Sequence, residues 1–440
     1  SRLAARGKLL GPMKESPPGA MVIACELAVF GASLIALLLL RLWMVLPSRE
    51  CRVACSKSLQ RKVRCIVVLG SGGHTAEMLY DLASLSAWPE RFQATYLLAD
   101  TDHGSHAKAD AYEAQHGSQG ARVVRVPRAR EVGQSYATSV LTTARAAWCS
   151  LWAVLGELPD AVFANGPGTC VPVVLAAYVA RLLGLRRVMV MYSESFACVE
   201  HLSLSGRLLY RFADRFTVQW PQLLARYPRA EYAGRLYSPE EVRGCRVGRA
   251  PLAPADLPPL PPMVTGEGAH TAVVTVGSTK FDSLISAVDS VEFLAVLWSI
   301  GIRKLKVQRG SGQYRPVNLG SDGRCAYKEL EVEVLEYTPD LPSELRRAAL
   351  VISHAGAGTI LDCLLAGRRL VVVPNEGLMS NHQVQLAMAL QEQRLLFCFR
   401  SEELVPGLRE ADFSSLRCFP EQASPTFARL ACEMLGMQPP

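Results

Sequence analysis

An apolar, β-branched run that ends in a glycine-rich turn and opens a helix-like pattern occurs twice in this chain. The first is Val67-Val68-Leu69-Gly70-Ser71-Gly72-Gly73-His74, and the second is Val351-Ile352-Ser353-His354-Ala355-Gly356-Ala357-Gly358. Strands that read as continuous apolar runs belong to parallel sheets covered on both faces. A glycine turn between strand and helix leaves backbone N–H groups at the positive end of a helix dipole, where they bind phosphate. Two such cradles, far apart in sequence, predict two phosphate-bearing substrates facing each other across a cleft, one a donor and the other an acceptor.

The rest of the chain fits that frame. Strand patterns at Cys65–Leu69, Thr95–Ala99, Arg122–Val126, Ala161–Ala164, Arg187–Met191 and Arg215–Gln219 alternate with helical stretches, as in a doubly wound α/β domain. The alternation stops at the proline-rich run 247–262 and restarts at Thr271–Val276, Lys304–Gln308, Val332–Leu335, Leu350–Ser353 and Leu370–Pro374. The expected partition is therefore an N-terminal segment 1–20 without regular structure, a membrane anchor 21–46, a first domain 61–246, a linker 247–269, a second domain 270–400 and a tail 401–440 ending in a helix. At 440 residues the chain can build both cores.

The anchor expectation rests on Leu27–Leu40, a run without charge that its flanks extend to about 30 Å of helix. Arg41, Trp43 and Pro47 follow where a signal peptide would carry a small-residue cleavage site. Arg49, Arg52, Lys57, Arg61, Lys62 and Arg64 then place the bulk of the chain on the cytosolic side. The net charge of +7 is spread without a lysine block, which argues against nucleic acid as a partner. Thirteen cysteines without a CxxC pair fit a reduced, cytosol-facing chain.

Several polar groups follow strand ends, where α/β folds place ligands. His74, next to Gly70, Ser71, Gly72 and Gly73, is either a general base or a cap. Thr75 stands where a dinucleotide loop needs its third glycine, which weakens a nicotinamide-dependent reductase using Asp100 for ribose. Asp100-Thr101-Asp102 reads as a loop more readily than as a metal site. Arg128 and Arg130 end a basic cluster that starts at Arg122, while Arg207, Arg211 and Arg215 recur as a stripe on one helix. Asn165 and Gly166 open another helix, and Glu194 caps a helix or serves as an alternative base. In the second half, Gly277, Ser278 and Thr279 can contact phosphate. The loop His354, Ala355, Gly356, Ala357, Gly358 and Thr359 leads to Asp362, placed to accept ribose hydroxyls. Asn375, Glu376, Asn381, His382 and Gln383 offer amides and an imidazole to sugar hydroxyls.

The strings 70–78, 165–172 and 206–214 resemble the membrane-anchored subunit of the two-part enzyme that adds the second N-acetylglucosamine to the dolichol-linked glycan precursor. The strings 274–282, 353–359 and 375–383 resemble its catalytic, donor-binding partner, here fused behind the anchor half. Together the resemblance covers roughly Val63–Arg246 and His270–Cys398. The bacterial transferase that completes the peptidoglycan lipid precursor is similar in layout. Ser278 stands where that pattern expects threonine.

The resemblance implies a GT-B fold, two facing Rossmann-like domains working without a metal or other cofactor. UDP-N-acetylglucosamine would bind the second domain, and dolichol-pyrophosphate-linked N-acetylglucosamine would reach the first from the cytosolic face of the endoplasmic reticulum. Transfer would invert the anomeric centre and form a β1,4 link. The enzyme making the first N-acetylglucosamine link is a candidate partner. A non-catalytic scaffold that recruits a soluble transferase is the competing reading, and it suits an anchor half without a donor domain.

Overall fold

In the computed structural model the residues described are 18–46, 61–85, 88, 90–102, 104–118, 120–129, 139–237, 242–243, 257–261, 268–277, 279–320, 327–338, 340–375, 382–420 and 425–438. Arg130, Ser278, Glu376 and Asn381 lie outside them, as do residues 1–17 and most of the proline-rich run. Helix α1 (Pro18–Val45) starts with a proline, whose fixed φ and missing N–H suit a first turn, so Pro18–Ala20 are helical rather than irregular. Its stretch Cys25–Val45 is 21 residues long and apolar enough to cross a membrane.

The remaining chain holds two all-parallel sheets. The first comprises β1 (Val63–Leu69), β2 (Phe92–Ala99), β3 (Val123–Val126), β4 (Ala161–Asn165), β5 (Met189–Ser193), β6 (Arg215–Val218) and β7 (Glu231–Tyr232). Its order is β3-β2-β1-β4-β5-β6-β7. The second comprises β8 (Thr271–Thr275), β9 (Lys304–Gln308), β10 (Glu331–Leu335), β11 (Leu350–Ser353), β12 (Arg369–Val372) and β13 (Phe397–Cys398), in the order β10-β9-β8-β11-β12-β13. Each order reverses once, between β1 and β4 and between β8 and β11. Ligands of doubly wound sheets bind outside the strand carboxyl ends at such a reversal.

Right-handed crossovers then decide which helix covers which face of the first sheet. Helices α2 (Gly73–Ala83) and α3 (Gly104–Gln115) lie on one side; α4 (Ser139–Glu157), α5 (Cys170–Leu182) and α6 (Leu204–Leu209) lie on the other. The C-terminal helix Pro425–Leu435 returns to the first sheet. It buries Phe427, Ala428, Leu430 and Ala431 in one core with Val67, Leu69, Met78 and Phe163. The second core gathers Val274, Phe293, Leu305, Ile352 and Val371. Of the proline-rich run, 257–261 is described. Leu260 donates to the carbonyl of Leu416 at 2.9 Å and Cys418 to that of Pro258 at 2.8 Å.

The basic stripe expected on one helix is corrected. Arg207, Arg211 and Arg215 do not share a helix: α6 ends at Leu209, and Arg215 opens β6, where it pairs with Glu231 at 2.9 Å and Glu433 at 3.1 Å. The reason is Asp214. Its carboxylate is locked by the buried Arg181 guanidinium and accepts the Val190 amide at 2.7 Å, which turns the chain back into the sheet. A buried pair that loses one partner leaves an uncompensated charge. Asp214→Ala is therefore expected to cost about 3–5 kcal/mol in denaturant unfolding, and a loss within about 1 kcal/mol would remove this pair from the stability account.

Candidate active site

The four glycine-bearing strand-end loops singled out in the sequence fall at the two reversal points. Residues 70–74 follow β1, 166–169 follow β4, Gly277 and Thr279 follow β8 and 354–358 follow β11. Three of these loops open helices whose N-terminal amides no side chain caps: α2 behind Gly72, α5 behind Thr169 and Ala357–Leu365 behind Gly356. At α5 the amides of Cys170 and Val171 turn back to the carbonyls of Pro167 and Gly168, at 3.1 and 3.3 Å; orphan N–H groups at the other two ends are available to an anion. The first and last loops also touch. A Cβ on Gly73 would lie 2.9 Å from the Gly358 amide nitrogen, and one on Gly358 would lie 2.8 Å from the Gly73 Cα. Only glycine on both sides permits that approach.

On the first-domain side His74 is fixed by three contacts. Its carbonyl accepts Asn165 Nδ2 at 2.7 Å, and its ring lies against Gly166, where a Cβ would come within 2.2 Å of Cε1. Its Nδ1 faces Glu77 Oε2 at 3.4 Å, one helical turn along α2, and the side chain is 34% exposed. Burial disfavours the imidazolium, but the Glu77 hydrogen bond and the charges of Glu77 and Glu194 outweigh it and raise the His74 pKa. Glu77 is itself held by Ser195, whose hydroxyl donates to Oε1 at 3.0 Å.

The neighbouring groups are committed to structure. Glu194 is 2% exposed and accepts from the amides of Ser195 at 2.9 Å and Ser203 at 3.0 Å, so its carboxylate is spent at the start of α6. Burial pushes its pKa up, against those hydrogen bonds. Asp102 accepts the Ser105 amide at 3.1 Å and hydroxyl at 2.6 Å, a helix cap rather than a ligand set. Among the described residues no three His, Cys, Asp or Glu side chains converge as a metal site. Thr75 is fully buried and its hydroxyl closes the loop on the Gly70 carbonyl, where a dinucleotide loop needs a glycine. Of the basic cluster, Arg122 pairs with Glu157 and Arg125 holds the Asp102 carbonyl at 3.1 Å. Arg128 reaches into the glycine loop, donating to Ser71 Oγ at 2.9 Å.

On the second-domain side His354 packs between Gly277 and Gly356, where added Cβ atoms would meet its ring at 2.8 and 2.5 Å. Burial lowers its pKa to about 4, which keeps the imidazole neutral at physiological pH. Ala355 is held at φ 58, the left-handed region that L-residues avoid. The Thr279 hydroxyl and amide both turn back to the Val276 carbonyl, at 2.8 and 3.3 Å. Gln383 Oε1 accepts the Asn375 amide at 3.2 Å, and His382 begins the helix His382–Glu392. Asp362 accepts the Tyr80 hydroxyl of α2 at 2.9 Å. Burial raises the Asp362 pKa, opposed by that hydrogen bond and by Lys108 and Arg346.

Glu77, Ser195 and Tyr80 are the site residues that sequence reading missed. The i, i+3 spacing of His74 and Glu77 on one helix face was the available signal for the first.

Two doubly wound domains whose glycine loops meet across a cleft define a GT-B glycosyltransferase. In keeping with that class, a UDP-N-acetylglucosamine 2-epimerase described as putative, from Listeria monocytogenes, superposes with a TM-score of 0.55 at 13% identity, over 85% of this chain and 96% of that one. Arabidopsis thaliana UGT89C1 complexed with UDP-L-rhamnose does so with a TM-score of 0.51 at 14% identity, over 84% and 93%. More specifically, residues 65–236 match the family described as "Oligosaccharide biosynthesis protein Alg14 like", and 271–431 match the glycosyltransferase family 28 C-terminal domain. The human UDP-N-acetylglucosamine transferase subunit ALG14 is 39% identical over 224 residues, all of that protein and 49% of this chain. Its Candida albicans counterpart is 40% identical over 97% of its length and 48% of this chain. The chain belongs to the Alg14 family, with a family 28 glycosyltransferase domain in the same polypeptide.

Proposed function

We propose that this chain transfers N-acetylglucosamine from UDP-N-acetylglucosamine to N-acetylglucosaminyl-diphosphodolichol, with inversion, giving a β1,4-linked chitobiosyl lipid on the cytosolic face of the endoplasmic reticulum. The observation that carries the reading is the meeting of two uncapped helix N-termini at Gly73 and Gly358 with His74 at the seam. Residues 61–246 serve the acceptor, whose diphosphate is received by Gly70–Gly73, Asn165, Gly166 and Arg128. Residues 270–400 serve the donor.

His74 is the base. Its Nδ1 is turned to Glu77, so Nε2 carries the lone pair that takes the proton of the acceptor 4-hydroxyl as that oxygen attacks the anomeric carbon. The bond to UDP breaks as the new glycosidic bond forms. The amides of Gly356–Thr359 and their helix dipole receive the negative charge that develops on the departing diphosphate. The relatives named as UDP-N-acetylglucosamine transferase subunits support this donor.

Asp362 is assigned the donor ribose, which requires Tyr80 to release it when the donor enters. The two residues then oppose each other. Asp362→Ala raises the donor KM about tenfold or more, as loss of a charged hydrogen bond does, whereas Tyr80→Phe leaves it unchanged or lowers it. If both variants raise KM alike in steady-state assays, the pair is an interdomain tie and Asp362 does not hold ribose.

A further inference from the structure

Beside the His74–Glu77 pair lies a cavity of about 30 Å³ that no step above uses. Glu77 forms part of its wall, so it begins one side chain away from the base. It has room for about two water molecules, or for the carbonyl and methyl of an acetyl group. Tyr80, Asp81, Gln219 and Arg235 line it and keep accessible surface, so it is not sealed.

One wall is apolar and rigid. Phe196, Leu236, Leu361 and Phe419 line it, each only 5–6% exposed. Phe196 stacks on the buried Trp220 with 5.5 Å between centroids and meets Phe419 edge to face at 6.2 Å. Its carbonyl also accepts the Trp220 indole N–H at 2.7 Å, so backbone and ring are fixed together. A ring held in this way offers a methyl group a surface that needs no ordering when the group arrives.

The other wall carries charges of both signs. Asp81 stands one turn beyond Glu77 on α2 and accepts a hydrogen bond from Ser193. The Arg235 guanidinium lies 6.0 Å from the centre of the Tyr80 ring. Glu77 and Glu194 repel a phosphate here, and Arg235 repels a cation. A neutral amide suits both signs: its N–H can donate to Asp81, and its carbonyl can accept from the five-donor guanidinium of Arg235.

We propose that this cavity receives the 2-acetamido group of the acceptor sugar and so selects an N-acetylated acceptor. The methyl would rest on Phe196 and Leu236, with the amide between Asp81 and Arg235. Eight of the ten lining residues belong to the first domain, which favours the acceptor sugar over the donor sugar.

Carbons 2 and 4 belong to one six-membered ring, so a sugar whose 4-hydroxyl meets His74 carries its acetamido group only a short distance away. The inference rests on the transferase reading and adds to it the residues that choose the sugar.

The test compares two acceptors on the reconstituted full chain at saturating UDP-N-acetylglucosamine. One is an N-acetylglucosaminyl-pyrophosphoryl lipid; the other is the glucosyl-pyrophosphoryl lipid, whose 2-hydroxyl replaces the acetamido group. Native kcat/KM should favour the first about 10–200-fold, the range that a small apolar substituent in a fitted pocket commands. Leu236→Phe fills the cavity, and Arg235→Met keeps the stem but removes the donors. Each should cut the preference about fivefold or more, and Arg235→Lys should keep part of it. A native chain that takes both lipids alike overturns the proposal, as do variants that leave the preference intact or slow both lipids equally. A preference lost instead between UDP-N-acetylglucosamine and UDP-glucose overturns it too, because the cavity would then read the donor. Transfer to neither lipid overturns the transferase reading itself, and this inference with it.

Discussion

His74→Ala is expected to lower turnover by about 10²–10⁴-fold, the contribution of a positioned general base, while UDP affinity stays within about twofold because the donor loops lie on the other domain. The geometry makes the variant clean. The His74 ring rests against Gly166 and its backbone is held through Asn165, so deleting the imidazole leaves the loop in place. Glu194 cannot take over, since its carboxylate is 2% exposed and engaged by the Ser195 and Ser203 amides. Normal turnover by the variant in a radiolabel transfer assay would take His74 out of the mechanism.

Glu77→Gln carries the second large expectation, a fall in kcat of about 10–100-fold together with a displaced pH profile. A base must be neutral to accept a proton, so kcat/KM rises with pH through the His74 pKa. In the native chain Glu77 and Glu194 raise that pKa above the ordinary 6.5, and the acid limb should lie above that value. Removing the Glu77 charge lowers the pKa. The limb then moves to lower pH even as the maximal rate falls, because the remaining base is weaker. Glu77→Asp should restore part of the rate. A purely structural Glu77 would lower activity through loss of folded protein and leave the limb where it was.

Much of the architecture was legible because its signals are local. The β-branched runs and the glycine turns each act within a few positions, and the Asn165 and His354 loops sit at the sheet reversals. What failed was long-range. Nothing near Arg211 in sequence announces that Asp214 will be captured by Arg181, thirty-three positions earlier, and so end the helical pattern. β5 runs Met189–Ser193 and not from Arg187, because the buried side chains begin at Val188 and continue through Tyr192 and Ser193. Ser195 meets Glu77 across 118 residues, and Tyr80 meets Asp362 across 282. The first contact forms only when the first domain is folded, and the second only when both domains are folded and facing. Conversely, the weaker reading of Asp100-Thr101-Asp102 as a metal triplet lost to a capping role that any Asp before a helix can take.

The most direct test of the central claim is transfer by the purified chain alone. It would be reconstituted with an N-acetylglucosaminyl-pyrophosphoryl lipid, given labelled UDP-N-acetylglucosamine in excess EDTA, and the product linkage read by nuclear magnetic resonance. A chitobiosyl lipid with a β1,4 bond, formed without added metal, is the expected result. A folded chain that binds UDP yet forms no product, a product with an α linkage, or transfer only when manganese is restored would contradict it.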